Sequence, residues 1–90
     1  EMPNLLGPDT LIDQYPATPA GQLAYLVDLT QRVVDHGGVG VVYWEPAWVS
    51  TGCKTRWGTG SSWENAAWFD LKDHEALPAF EFLGREYRPR

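Results

Sequence analysis

Two spacings of apolar residues divide the chain. In ATPAGQLAYLVDLTQRVVDHGG, Leu23, Leu26, Val27, Thr30, Val33 and Val34 recur at three- and four-residue intervals, the period of a helix with one covered face. Thr18 stands where it can cap that helix, Pro19 suits its first position, and Gly37 and Gly38 end it. Directly after, GVGVVYWEPAWVS changes the pattern: residues 39–44 run apolar without a polar interruption, meet a carboxylate at Glu45 and stop at Pro46. A continuous apolar run predicts a strand covered on both faces, as in a parallel sheet.

The flanking segments are read the same way. Residues 1–16 hold Pro3, Gly7, Pro8 and Pro16 with few apolar anchors, which predicts a loop with at most a helical turn around DTLIDQY. Residues 45–65 are rich in Gly, Ser, Thr and Trp. A connection of that length is several times the usual 4–6 or so residues and is expected to be functional or ordered by something else. AAWFDL, residues 66–71, predicts a second short strand; KDH predicts a turn; and EALPAFEFLGREY predicts a closing helix with Pro78 near its start and Gly84 near its end.

Helix, strand, long loop, strand, helix is the α/β alternation of a parallel sheet, yet two strands cannot make one that stands alone. The expectation is a piece of a larger barrel or sheet, or a chain that completes itself by oligomerising. A start in mid-loop, without an ordinary methionine context, favours the piece.

Charge narrows the partners. Seven Lys and Arg stand against twelve Asp and Glu, and the cations are scattered rather than striped, so nucleic acid is not an expected partner. No apolar run approaches the roughly 20 residues of a membrane-spanning helix, and no signal-peptide pattern is present. A single cysteine, Cys53, excludes an internal disulfide and a thiolate cluster, and no histidine arrangement marks it as a nucleophile; a free or externally paired thiol is expected. His36 and His74 fall at expected helix ends or turns and are expected to face solvent. Tryptophan is the unusual quantity, because all five lie between Trp44 and Trp68.

That clustering puts the candidate chemistry around Glu45. In a parallel α/β barrel the active site is built at the carboxyl ends of the strands, so a carboxylate ending a buried strand points into the mouth. Aromatic rings offer flat apolar surfaces to sugar rings, and a carboxylate among them is the usual tool for attacking an anomeric centre. A structural ion pair at the sheet end, with Arg56 as partner, explains the same residue types equally well. Trp48, Trp57 and Trp63 either stack on sugars or pack the long loop, while Trp44 and Trp68 are expected in the core or wall. GTGSS, residues 58–62, exposes small residues but lacks the helix start and lysine of a phosphate-binding loop.

The segments YPATPAGQLAYLVDL, GVGVVYWEPAWVSTGC, RWGTGSSWENAAWFD and ALPAFEFL resemble the C-terminal portion of the arabinogalactan endo-β-1,4-galactanases, glycoside hydrolase family 53. The resemblance runs from about Leu5 to Phe82, and YWEPAW followed by SSWEN is its most specific part. It implies a (β/α)8 TIM barrel, of which residues 1–90 would be the C-terminal quarter: helix six, strand seven, its long loop, strand eight and helix eight. It implies that Glu45 is the catalytic nucleophile of a retaining double displacement; Tyr43, Trp48, Trp57 and Trp63 are the expected substrate-binding residues. The acid/base glutamate of the family belongs to strand four, outside this chain, and nothing in the resemblance gives Glu64 that role.

Galactan or arabinogalactan oligosaccharide and the remainder of the barrel are the implied partners, with no cofactor, no membrane association and a secreted or cell-envelope location. Some relatives hold calcium after strand seven, but no Asp or Glu lies between Glu45 and Glu64, so no metal is expected. Where many relatives have glutamine after the asparagine of WEN, this chain has Ala66. The competing readings are another retaining β-glycanase of the same clan and a non-catalytic carbohydrate-binding module. The isolated 90 residues are expected to be inactive and not to form a stable monomer.

Overall fold

In the computed structural model, which describes residues 11–90, one long helix organises the rest. Helix α1 spans Pro19–Asp35. Thr18 is extended, and its hydroxyl accepts the Gly21 N–H at 3.0 Å, a cap of the kind that contributes about 1 kcal/mol. Gly37 ends the helix at φ +87°, in the left-handed region that glycine enters without steric cost. The expected face is the one that packs. Leu26 is 2% exposed, Leu23 and Val27 pack beside it, and the buried Thr30 hydroxyl donates to the Leu26 carbonyl at 2.7 Å, so that hydroxyl is not orphaned.

The chain before α1 makes the single turn expected of it, with Tyr15 N–H donating to the Ile12 carbonyl; Asp9 and Thr10 of DTLIDQY lie outside the described residues. That turn folds back on the helix. A side chain at Gly21 would run into the Pro16 carbonyl, and the close approach lets the Tyr15 hydroxyl donate to Asp28 Oδ2 at 2.7 Å while its ring meets Tyr25 edge-on.

Against α1 lies the Pro78–Gly84 segment, which is a 3-10 helix and not the longer closing helix expected. Seven residues from a helix-starting proline to a closing glycine give little return on the cost of nucleating an α-helix. Three residues per turn align positions three apart, so Ala79 and Phe82 both face inward and are buried. Between the two helices sits Trp68, 4% exposed, with Phe80 and Phe82 edge-on at 5.0 and 5.4 Å and Tyr43 tilted at 4.6 Å. Leu26, Trp68, Ala79 and Phe82 are the core, and Val41 and Tyr43 pack against it.

The strands differ from expectation. Residues 39–44 form no ladder with any described residue, and they are not covered on both faces: Val41 and Tyr43 are half-buried while Val39 and Val42 are exposed. Trp44, expected in core or wall, is 73% exposed; Trp68 is in the core as expected. A parallel strand exists only through neighbours reached by long crossovers, whereas a lone segment of chain satisfies its backbone locally, in hairpins. Two such hairpins are present among the described residues. Strand β1, Lys54–Thr55, pairs antiparallel with β2, Gly58–Thr59, inside the expected long loop, for which no strand is expected. The second strand expected at residues 66–71 shrinks to β3, Phe69–Asp70, paired antiparallel with β4, Glu75–Ala76. The expected turn at KDH closes that hairpin, with Asp70 Oδ1 accepting the Lys72 and Asp73 N–H groups at 2.8 and 3.1 Å. Among the described residues no parallel pairing occurs.

The far end of α1 holds the C-terminal residues. Asp35 Oδ1 accepts the backbone N–H of Arg90 and the Gln31 amide, both at 2.8 Å, and the Arg90 guanidinium lies 3.4 Å from Oδ2. The Arg90 N–H first, and the Gln31 amide second, hold the Asp35 carboxyl below its ordinary value. A lowered carboxyl stabilises the fold in full above its unfolded value of about 3.9, and that contribution disappears as pH falls through the lower folded value. NMR titration should therefore find Asp35 ionising below the usual carboxylate range, with Gln31→Ala moving it upward. A carboxyl titrating at the usual value in both proteins would contradict this tie.

Candidate active site

Glu45 ends the apolar run in an exposed position, with φ +50°, in the left-handed region that a glutamate rarely adopts. Its neighbours are fixed on either side. Before it, the Tyr43 hydroxyl donates to the Ala66 carbonyl at 2.7 Å; after it, the Trp68 N–H donates to the Pro46 carbonyl at 2.8 Å. Non-glycine residues in such conformations each cost of order 1–3 kcal/mol and persist where their surroundings over-determine them. Here the determinants are the two hydrogen bonds that bracket residue 45.

The aromatic candidates separate into two groups. Trp48 and Trp63 stack at 6.0 Å with an interplanar angle of 16°, forming a ring pair in the loop that follows Glu45. Trp63 is 39% exposed, and Trp48 Nε1 is buried with no hydrogen-bond partner among the described residues. Trp57 stands apart at the turn of the β1–β2 hairpin, 71% exposed, with the Arg56 guanidinium 4.4 Å above its ring. Arg56 is thus engaged with an aromatic face, and the ion pair with Glu45 considered from residue types is not formed. The ion pairs among the described residues are Arg88–Glu86 and Arg90–Asp35.

The loop is closed upon itself. Ser61 N–H donates to Ser50 Oγ at 3.0 Å, Thr55 Oγ1 donates to the Gly58 carbonyl at 3.0 Å, and Glu64 opens a 3-10 turn, Glu64–Ala66. With Gly58 and Thr59 in a strand and the Ser61 amide donated to Ser50, GTGSS is no phosphate cradle. His36 and His74 are exposed as expected, and Cys53 is exposed and free. Among the described residues no three His, Cys, Asp or Glu side chains gather as metal ligands do. An open cavity of about 300 Å³, lined by Val34, Val39, Phe82, Arg85, Tyr87 and their neighbours, includes none of the candidate site residues.

Sequence reasoning missed the support beneath the site. The carbonyls of Ala66, Ala67 and Trp68 accept in turn from the Tyr43 hydroxyl, the Gln22 amide and the Leu77 N–H, and main-chain acceptors carry no residue-type signal. It also missed the β1–β2 hairpin, whose turn residues Arg56 and Trp57 are not the Asn-Gly or Asp-Gly type that marks a two-residue loop.

Glu45 is thus an exposed acidic residue at the end of an apolar segment, and the loop that follows it carries a stacked indole pair. The family model for glycosyl hydrolase family 53 matches residues 1–83, and the chain belongs to that family. It is 55% identical over 86 residues to an arabinogalactan endo-β-1,4-galactanase of Cellvibrio japonicus, covering 94% of this chain and 23% of that protein. An endo-β-1,4-galactanase of Bacillus subtilis is 39% identical over 71 residues, 66% of this chain and 17% of that one. Arabinogalactan endo-β-1,4-galactanase A of Emericella nidulans is 33% identical over 73 residues, 81% and 19%. The chain thus spans a quarter or less of the length of these curated relatives. No solved structure matches it.

The backbone of residue 45 yields a prediction that separates strain from chemistry. Glycine adopts φ +50° without steric cost, and relief of about 1–3 kcal/mol outweighs the roughly 0.4–1 kcal/mol that glycine adds to unfolded-state freedom. In the full-length protein Glu45→Gly should be more stable to guanidinium than Glu45→Ala, by about 1 kcal/mol. A glycine variant less stable than the alanine variant would show that residue 45 is unstrained.

Proposed function

We propose that this chain is the C-terminal quarter of a (β/α)8 catalytic domain, residues 1–90, in a retaining endo-β-1,4-galactanase, and that it carries the nucleophile, Glu45. The observation that carries the reading is the exposed Glu45, its backbone bracketed by two hydrogen bonds and followed in the chain by the loop of the Trp48–Trp63 pair, in a member of glycosyl hydrolase family 53. Residues 39–44 act as strand seven and residues 66–71 as strand eight. The uncovered Val39 and Val42 are what a barrel strand presents when its neighbours lie elsewhere in the protein. The remainder of the barrel is accordingly the partner of this segment, and the enzyme is secreted or held at the cell envelope.

The chemistry is double displacement. A Glu45 carboxylate oxygen attacks the anomeric carbon of a β-1,4-linked galactosyl unit, forming a glycosyl ester as the bond to the departing oxygen breaks. A second carboxyl group, from the part of the barrel outside this chain, gives its proton to that oxygen. It then takes a proton from water, which hydrolyses the ester and frees Glu45. The two carboxyl groups stand about 5–5.5 Å apart in such an arrangement. No cofactor is needed. Trp48, Trp63 and the exposed Trp57 offer ring faces to successive galactosyl units, whereas Tyr43, expected to bind substrate, packs on Trp68 and donates its hydroxyl to the Ala66 carbonyl.

Two measurements test this reading. In the full-length enzyme Glu45→Gln should keep its melting temperature and lose galactan hydrolysis by several orders of magnitude, because an amide cannot supply the nucleophile's charge; near-normal hydrolysis would sink the assignment. Trp63→Ala and Trp48→Ala should each weaken galacto-oligosaccharide binding about three- to tenfold, more than they shift melting. If both variants bind normally and only melt early, the pair is loop packing.

A further inference from the structure

The residue two before Glu45 has work of its own. We propose that Tyr43 is a positioning residue for the nucleophile: its hydroxyl, donated to the Ala66 carbonyl, and the Trp68 N–H, donated to the Pro46 carbonyl, clamp the backbone of residue 45 from both sides. The proposal rests on Glu45 being the nucleophile.

Both hydrogen bonds end on the same short stretch, residues 66–68. That stretch is itself immobilised from two other directions, by the Gln22 amide on the Ala67 carbonyl at 3.2 Å and the Leu77 N–H on the Trp68 carbonyl at 2.7 Å. Tyr43 therefore ties Glu45 to a fixed reference. Its ring packs against Trp68 at 4.6 Å and its hydroxyl is already donated to main chain, so the groups a tyrosine would offer to a sugar are committed elsewhere. Trp68 contributes through its backbone, which substitution does not remove; the Tyr43 hydroxyl is the half of the clamp that a single atom's deletion can open. Misplacing a reacting group by about 1 Å can cost on the order of 10²-fold in rate, so a loosened Glu45 acts less often without binding less.

The test is Tyr43→Phe in the full-length enzyme, which keeps the ring and removes the hydroxyl. On galactan, kcat should fall about tenfold with KM changed less than about twofold. Labelling of Glu45 by a 2-deoxy-2-fluoro galactobioside with a dinitrophenyl leaving group should slow by the same factor, because that leaving group needs no proton and the step reports the nucleophile alone. Gln31→Ala, which removes side-chain hydrogen bonds to Asp35 and the Arg88 carbonyl at the other end of α1 from Gln22, should lower the melting temperature and leave kcat and labelling unchanged, separating lost stability from lost positioning. Unchanged kcat and labelling in Tyr43→Phe would overturn the proposal, and so would a raised KM at unchanged kcat, the mark of a sugar contact. Labelling of a carboxylate other than Glu45 in the unmodified enzyme would overturn the nucleophile assignment itself.

Discussion

Trp68 is the residue on which the rest of the described structure depends. Its ring fills the space between α1 and the 3-10 helix, touching Phe80 and Phe82 edge-on and Tyr43 face to tilted face. Its backbone does separate work: the N–H reaches Pro46 and the carbonyl receives Leu77. One residue thus joins the helix that precedes the site, the segment that presents Glu45 and the helix that follows. Aromatic pairs of this geometry contribute about 0.5–1.5 kcal/mol each beyond their buried area, and the area itself is large for an indole. Burial there fixes the site at second hand, because whatever holds Trp68 in place also holds residues 43–46.

The arrangement explains how a small segment keeps a glutamate in an unfavourable backbone conformation. The cost at residue 45 is local, while the forces opposing it come from α1 through Gln22, from the core through Tyr43 and from the chain after β4 through Leu77. A site assembled this way resists single perturbations in the core less well than one whose strain is relieved locally. The loop carrying Trp48, Trp57 and Trp63 is held differently, by its own hairpin and a Ser50–Ser61 hydrogen bond. Glu45 and the aromatic surface therefore rest on separate supports.

Much of this was legible in the residues. The cap at Thr18, the apolar face through Leu26 and the stop at Gly37 identify α1 because helix signals are local and act through side chains. Glu45 stood out by its place at the end of an apolar run, and the tryptophans by their clustering. The reading went astray where the outcome depended on groups beyond the segment. Residues 39–44 carry a strand's composition, but a strand is completed by its neighbours, and none of the described residues supplies one. Trp44 and Trp68 look alike in sequence, and only the packing of α1 against the 3-10 helix decides that one is covered and the other is not. The Arg56–Glu45 ion pair failed for a similar reason, since the hairpin turns Arg56 onto Trp57.

The two hydrogen bonds that bracket Glu45 also act as a staple across the mouth of the intervening loop, joining residues 43 and 46 to 66 and 68. Once the ends of a flexible loop are joined, its length matters little: each doubling adds only about 0.6 kcal/mol of closure entropy. Insertions between Trp48 and Trp63 would lengthen the aromatic surface while leaving the carboxylate where it is. The span of indole faces can then change through the loop alone, at nearly constant stability, with Glu45 untouched.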